Sequence, residues 1–229
     1  MTLRARNAIV DAEIVVGYDT YIELIDELLT GKTVVGTGMM QEIERCQVAV
    51  DHAAEGRKVA VVSSGDPGIY GMAGLVLELA MKLPADERPD TEVIPGVSAV
   101  GAAAAILGAP LMHDFAVISL SDLLTPWEII QKRVEMAVAG DFVIALYNPK
   151  STKRVKHIEE VRNIALRHRA AQTPVGIVQQ ATRKGETKVI SNLADFTKES
   201  IDMFSLVIIG NSQSYVKDGC IITPRGYII

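Results

Sequence analysis

The stretch Val59-Ala-Val-Val-Ser-Ser-Gly-Asp-Pro-Gly-Ile-Tyr-Gly71 decides which class of fold this chain adopts. Its first residues form an apolar, β-branched run, which is typical of a strand buried on both faces of a parallel or mixed sheet. The strand leads into a glycine-rich turn, and the residues that follow, Met72–Leu79, have the period of a helix. Asp66 is predicted to cap that helix and Pro67 to occupy its first position. A strand, a tight turn and a helix in this order predict one unit of an α/β fold.

The same alternation continues along the chain. Short apolar runs predict strands at Glu13–Tyr18, Lys58–Ser63, Thr91–Ile94, Phe115–Ser119, Phe142–Tyr147, Val175–Val178 and Leu206–Ile209. Apolar residues three and four positions apart predict amphipathic helices, with stripes at Ile43/Cys46/Val50/Ala53, Trp127/Ile130/Val134/Ala137 and Val155/Ile158/Val161/Ala165. We therefore expect an α/β protein in which each half is a sheet flanked by helices. Because an alanine-rich helix ends at Gly108 and Pro110, we predict an N-terminal domain over 1–112 and a C-terminal domain over 113–229.

Composition limits the classes of function. The 229 residues are 48% apolar and 22% charged, which is enough apolar material for a core and too much for a disordered chain. A net charge of −5 disfavours a protein that holds nucleic acid through phosphate contacts. The chain shows neither a signal peptide nor an uninterrupted apolar stretch of about 20 residues, so we expect a cytoplasmic protein without a membrane partner. The spacing of its cysteines and histidines matches no metal site, and we expect no protein-bound metal.

The glycine-rich turn is the strongest local signal for a ligand. Gly65 and Gly68 would allow a ligand to approach the backbone, and Asp66 could accept hydrogen bonds from hydroxyl or ammonium groups. An ordinary tight turn with its cap explains the same residues, and both interpretations stay open. A nicotinamide-dependent oxidoreductase is a weaker alternative, because the glycine spacing is not GxGxxG and the next predicted strand does not end in an acid.

Three other segments could contribute to a site. Ser98 and Ala99 follow the Pro95–Gly96 pair, where they could face a ligand or merely begin a tightly packed helix. Asp122, in the loop Ser119–Trp127, could act as an acid or base, although a loop aspartate without a structural role is usually only solvated. In that loop Thr125 is predicted to cap the helix that begins at Pro126. The absence of a recognisable nucleophile motif favours a reaction driven by binding and alignment of two reactants.

Several of these motifs occur together, in this order, in a known family. They are Ser64–Gly71, Ile94–Ala99, Gly108–Phe115, Ile118–Trp127, Leu146–Pro149 and Ile222–Tyr227. Through them nearly the whole chain resembles the precorrin-3B C(17)-methyltransferases, a branch of the tetrapyrrole methylases. The GDP and PGVSA elements are typical of the whole superfamily, whereas LSDLLTPW, YNP and TPRGY are typical of this branch.

The resemblance implies a two-domain methyltransferase, usually a homodimer, that holds S-adenosylmethionine in a cleft between its halves. The residues that it assigns to the cofactor pocket are Gly65, Asp66, Ile69, Ser98, Ala99, Asn148 and, on a less firm alignment, Gly176. The family pattern begins with a strand and a GxGPGD-like loop ahead of the segment that matches Thr2–Asn7. The resemblance therefore implies that the N-terminal domain of this chain lacks its first strand.

The implied reaction is methylation of a tetrapyrrole, precorrin-3B or cobalt-factor III, at ring carbon 17 with ring contraction, in cobalamin biosynthesis. Because contraction requires proton transfers, Asp122, Ser121 and Tyr147 become candidate catalytic residues. The carboxylates of such a substrate would suit basic side chains, with Lys150, Lys153, Arg154, Arg183 and Arg225 as candidates. The alternatives are a superfamily member with a different acceptor and a non-catalytic protein that binds a tetrapyrrole or the cofactor.

Overall fold

The computed structural model describes residues 1–38 and 40–228. They form two compact units, Met1–Ser98 and Ala99–Ile229. The second unit begins with the helix Ala99–Leu107. The boundary predicted from the sequence, after residue 112, would place this helix in the N-terminal domain. This helix contacts strands of the second unit, and that packing decides to which unit it belongs.

The first unit is built around a small parallel sheet. Its elements are α1 (Leu3–Asp11), β1 (Ile14–Tyr18), α2 (Asp19–Glu23), a 3-10 turn (Asp26–Leu28), β2 (Thr33–Thr37), α3 (Glu42–Ala54), β3 (Val59–Val62) and α4 (Ala73–Ala80). The strand order is β2-β1-β3. The central strand β1 has Ile14 aligned with Thr33 of β2 and with Val59 of β3. Helices cover both faces of this strand, which explains its run of consecutive apolar residues.

The sequence-based predictions for the first unit are confirmed in part, and the predicted apolar stripe from Ile43 to Ala53 lies in α3. Strands β1 and β3 lie within the predicted segments. Thr91–Ile94 is not a strand, because its backbone pairs with no other strand among the described residues. The helix after the glycine-rich turn begins at Ala73, so Asp66 does not cap it and Pro67 is not its first residue. The carboxylate of Asp66 is instead hydrogen-bonded to two backbone N–H groups described below.

The second unit contains a mixed five-stranded sheet of order β5-β6-β9-β7-β8 and a small sheet of order β10-β11-β4. Its elements are α5 (Ala99–Leu107), β4 (Gly108–Ala109), β5 (Phe115–Ser119), α6 (Trp127–Ala139), β6 (Val143–Tyr147), α7 (His157–Leu166), β7 (Pro174–Gln179), β8 (Thr187–Asn192), a 3-10 turn (Phe196–Lys198), β9 (Ser205–Ile209), β10 (Tyr215–Lys217) and β11 (Cys220–Ile222). Strands β5 and β6 are parallel, whereas β9 runs antiparallel to both β6 and β7.

Side chains of β6 alternate between two apolar clusters. Ile144 and Leu146 pack in the cluster that contains α6 and α7, and Val143 and Ala145 pack in the cluster that contains α5. Both faces of the sheet are therefore buried. This explains why the sequence of β6 is apolar at consecutive rather than alternate positions.

Most predicted elements of the second unit are confirmed. The predicted strands coincide with β5, β6, β7 and β9. The edge strand β8 was not predicted, because its sequence includes polar residues on both faces and its burial is only partial. The prediction for Thr125 is wrong: α6 begins at Trp127, and no side chain caps it. Across the described parts of the chain, none of the helices combines the length and apolar character needed to cross a membrane.

Candidate functional site

The glycine-rich turn of the first unit is held open to solvent. Gly65 has a φ of 76° and Tyr70 a φ of 55°, so the chain enters and leaves the turn in the left-handed region. Gly65 and Gly68 are exposed, and Ile69 keeps 38% of its surface accessible. At the end of the turn, the backbone N–H of Met72 donates to Ser63 Oγ at 3.1 Å. The turn therefore presents backbone with little side chain covering it.

Asp66 joins this turn to the segment that contains Pro95 and Gly96. Its Oδ1 accepts a hydrogen bond from Gly68 N–H and its Oδ2 accepts one from Gly96 N–H, each at 2.9 Å. A Cβ atom on Gly96 would lie 1.9 Å from the carbonyl oxygen of Gly65. The two backbones touch, so only glycine fits there. The structure thus brings the GDP and PGVSA motifs together, and Ser98 lies two residues beyond the contact.

A hollow in the first unit borders this turn. It has a volume of about 170 Å³ and is lined by Tyr18, Tyr21, Glu42, Arg45, Val62, Ser63, Ser64, Tyr70, Gly71 and Met72. A larger hollow of about 330 Å³ lies at the amino ends of β1 and β3, beside Arg57 and Lys58, and includes none of the predicted site residues. The smaller hollow is therefore the one relevant to the GDP motif.

In the second unit, Asp122 lies at the centre of a cluster of polar side chains. Its Oδ2 is 3.0 Å from His157 Nε2, and its Oδ1 is 3.6 Å from Arg154 Nη1. Arg154 also donates from Nη2 to the carbonyl oxygen of Asn148 at 3.1 Å. These contacts connect the loop after β5, the loop after β6 and the first residue of α7. The Asp122 carboxylate is therefore fixed by contacts with His157 and Arg154, and it is not a freely solvated loop side chain.

The cluster determines the charge of Asp122. Burial raises the pKa of this carboxyl, but the hydrogen bond from His157, a hydrogen bond from its own backbone N–H and the positive charges of His157 and Arg154 together lower it by more. The net pKa lies below the usual value for aspartate. Asp122 is thus ionised at neutral pH, and it is suited to accept a proton rather than to donate one.

The other predicted residues of the second unit lie around these loops or in the core. Ser119 Oγ accepts hydrogen bonds from Asn148 Nδ2 at 2.9 Å and from the backbone N–H of Ser121 at 3.2 Å. Tyr147 accepts one on its hydroxyl from the N–H of Val100, next to Ala99. Asn148 adopts a φ of 49°, a conformation that asparagine tolerates better than most residues. The cluster around Asp122 therefore includes Ser121 and Asn148 through shared partners.

Gly176 lies in β7 within the core. A Cβ atom there would meet Leu107 Cδ1 at 2.5 Å and Ile221 Cδ1 at 2.9 Å. Close packing against these two side chains is a sufficient reason for glycine at this position. A cofactor contact at Gly176 stays a prediction.

Sequence analysis did not assign a role to His157 or Gly96. His157 stands 35 residues after Asp122, and no local motif connects the two positions. Gly96 carried a signal, since it belongs to the PGVSA element, but its contact with Gly65 depends on how two loops meet. Of the predicted basic residues, Arg154 faces Asp122, Lys153 and Arg225 are exposed, and Lys150 and Arg183 are half-buried. Within residues 1–38 and 40–228, no three His, Cys, Asp or Glu side chains form a potential metal site.

Comparison with known proteins identifies the family. Residues 1–197 match the model of the tetrapyrrole (corrin/porphyrin) methylases. A probable cobalt-factor III C(17)-methyltransferase of Salmonella typhimurium is 53% identical, and the match covers 100% of this chain and 94% of that protein. A cobalt-factor III methyltransferase of Priestia megaterium is 49% identical over 99% of this chain and 42% of that longer protein.

Solved structures agree with this assignment. The methyltransferase CobJ superposes with a TM-score of 0.92 at 36% identity, covering 98% of this chain and 93% of that one. Uroporphyrin-III C-methyltransferase from Thermus thermophilus, complexed with S-adenyl homocysteine, shares the fold with a TM-score of 0.69 at 22% identity, covering 92% and 90% of the two chains. The chain therefore belongs to the tetrapyrrole methylases and is a methyltransferase.

Proposed function

We propose that this protein transfers a methyl group from S-adenosylmethionine to carbon 17 of cobalt-factor III, with contraction of the macrocycle, in cobalamin biosynthesis. The observation that carries the proposal is the 53% identity, along the entire chain, to a probable cobalt-factor III C(17)-methyltransferase. That match includes both the Gly65–Gly71 turn and the loop that holds Asp122. Precorrin-3B is the alternative acceptor.

The first unit supplies the features that suit the methyl donor. Gly65 and Gly68 leave the backbone of the turn uncovered, and the Asp66 carboxylate fixes its position against Gly96. These residues fit a ligand that must approach main-chain atoms closely. When bound, S-adenosylmethionine supplies an electrophilic methyl group on a sulfonium centre. Ile69, Ser98, Ala99, Asn148 and Gly176 complete the proposed set of cofactor contacts.

The second unit supplies the proposed proton acceptor. Asp122 is ionised at neutral pH, as aspartate ordinarily is, with a pKa that its contacts with His157 and Arg154 lower further, and 40% of its side chain is exposed. Ser121 and Tyr147 are proposed to orient polar groups of the substrate. No side chain needs to form a bond with the methyl group, because alignment of donor and acceptor lowers the barrier.

We also propose that the protein is a cytoplasmic homodimer that holds no metal of its own. The dimer is proposed from the resemblance to the precorrin-3B C(17)-methyltransferases, which are usually homodimers. Sedimentation equilibrium would give the mass of a dimer, and elemental analysis of the purified protein would find no stoichiometric metal. A monomer mass at all concentrations would contradict the first of these, and a stoichiometric metal would contradict the second.

A labelling experiment tests the activity. The purified chain is incubated with methyl-labelled S-adenosylmethionine and either cobalt-factor III or precorrin-3B, and the product is analysed by mass spectrometry and carbon NMR. We expect label at carbon 17 with cobalt-factor III. Label at another ring carbon would indicate a family member with a different acceptor specificity. Tight cofactor and tetrapyrrole binding without any labelled product would indicate a binding protein.

The variant Asp122→Asn tests the role of that carboxylate. We expect turnover to fall by about 10²- to 10⁴-fold, the usual contribution of a general base, with the affinity for S-adenosylmethionine unchanged. Asp114→Asn is the matched control, since this exposed carboxylate lies at the opposite end of β5 and is paired with His113. Full turnover in Asp122→Asn would remove the proposed role of Asp122.

A further inference from the structure

His157 contacts Asp122 from a position that sequence analysis did not connect with the site. It is the first residue of α7, and its side chain is only 17% exposed. Its Nε2 lies 3.0 Å from Asp122 Oδ2, within hydrogen-bond distance. His157 thus touches the proposed proton acceptor directly.

The imidazole of His157 is held from the other side by Trp127. The two ring centroids are 3.9 Å apart, and the ring planes are inclined by 41°. Trp127 is fixed in turn, because its Nε1 donates to Glu160 Oε2 at 2.8 Å, and Gln131 Nε2 donates to the same oxygen at 2.8 Å. The orientation of His157 is therefore set by the first turns of α6 and α7 before any substrate arrives.

Two atoms of this cluster are buried without a hydrogen-bond partner. They are Nδ1 of His157 and Nε of Arg154. A buried polar atom without a partner costs free energy, and such atoms in folded proteins call for an explanation. Both belong to the two side chains that face Asp122. Arg169 Nε, outside the cluster, is also buried without a partner, so these atoms agree with a fixed carboxylate, but the role of His157 is inferred from its contact geometry.

We propose that His157 is a positioning residue, which holds the Asp122 carboxylate in the orientation that the proton transfers of the reaction require. This inference rests on the proposed function of Asp122 and adds the group on which that function depends. The charged groups that face Asp122 are His157 of α7 and Arg154 of the loop after β6. Loss of the His157 contact would leave only the backbone hydrogen bond of Asp122 and the charge of Arg154 to oppose the effect of burial, so the pKa of Asp122 would rise.

The test compares the pH dependence of turnover in four full-length proteins. The variants are His157→Phe, His157→Gln and Glu159→Gln beside the wild type. Phenylalanine keeps a ring against Trp127 but cannot donate to Asp122, whereas the amide nitrogen of glutamine can take the place of Nε2. Glu159 lies on the same helix, is exposed, and does not face Asp122.

We expect the acidic limb of the profile in His157→Phe to move upward by about one pH unit, since this variant loses both the hydrogen bond to the carboxylate and the adjacent positive charge, each of which lowers a carboxyl pKa. His157→Gln restores the hydrogen bond but not the charge, so it should return the limb part of the way, and Glu159→Gln should leave it unchanged. The affinity for S-adenosylmethionine, measured by calorimetry, should be the same in all four proteins. A residue that only stabilised the fold would lower activity equally at every pH.

The two hypotheses fail in different ways. An unshifted limb in His157→Phe, together with an inactive Asp122→Asn, would overturn the role of His157 and leave that of Asp122 intact. Full activity in Asp122→Asn would overturn both. If His157→Phe does not fold, the pH profiles of His157→Gln and His157→Asn are compared instead. The asparagine amide takes the place of Nδ1 and cannot reach Asp122. Equal profiles in that pair would also overturn the inference.

Discussion

Replacing Gly96 by alanine tests whether contact between two backbones holds the proposed cofactor turn in place. The added Cβ would lie 1.9 Å from Gly65 O, whereas real Cβ atoms essentially never approach closer than 3.0 Å. The segment must therefore move by about 1.1 Å or more, and no flexible side chain can move instead. The φ of Gly96 lies outside the left-handed region, so steric contact alone is responsible for the effect.

The displacement has a calculable consequence. It breaks the hydrogen bond from Gly96 N–H to Asp66 Oδ2, a bond to a charged acceptor worth about 1.5–3 kcal/mol. We expect the affinity for S-adenosylmethionine to fall by about 10- to 150-fold. The thermal midpoint should fall by about 3–12 °C, from about 2–4 °C per kcal/mol for a chain of this size.

Isothermal titration calorimetry and thermal denaturation measure these two effects. Gly74→Ala is the matched control, since this glycine lies in α4 of the same unit with nothing within 4 Å of an added Cβ. It should leave the affinity unchanged and stabilise the protein by about 0.5–1 kcal/mol. If Gly96→Ala bound and melted like Gly74→Ala, the contact between the two loops would have no role in holding the turn.

Three further changes should affect stability in ways that denaturation can measure. Phe196→Ala removes a fully buried ring from the core of the second unit and should cost about 3–5 kcal/mol in urea unfolding; a loss below 1 kcal/mol would contradict this packing. Gly176→Ala places a methyl group against Leu107 and Ile221 and should lower the free energy of unfolding by about 1–3 kcal/mol. A stabilising effect would contradict the close packing at this position. Hydrogen bonds from His168, and then from Arg167, hold the pKa of Glu135 below its ordinary value of 4.5. These hydrogen bonds therefore stabilise the fold above pH 4.5, and their contribution is lost as the pH falls through the lowered pKa of the folded state. Glu135→Gln should therefore lose less stability than the wild type between pH 6 and pH 3, and parallel losses would refute the assignment.

Local patterns in the sequence were sufficient to predict the main elements of both units. Strands such as β1 and β6 were recognised because both of their faces are buried, which requires consecutive apolar residues. The family was recognised from short motifs that stay in order along the chain. The failures have a common physical cause. At Thr91–Ile94 and at the start of α4, the outcome depended on hydrogen-bond partners elsewhere in the fold.

The sequence by itself determined the α/β class, most strands and the segments that carry the site, because burial and turn geometry act over a few neighbouring residues. Only the tertiary structure decided which side chains meet. Asp66 bonds to a backbone group 30 residues away, and Asp122 to an imidazole 35 residues away. Such contacts arise where loops at the ends of neighbouring elements converge. The number of residues between two positions does not tell how close their side chains lie in the folded protein.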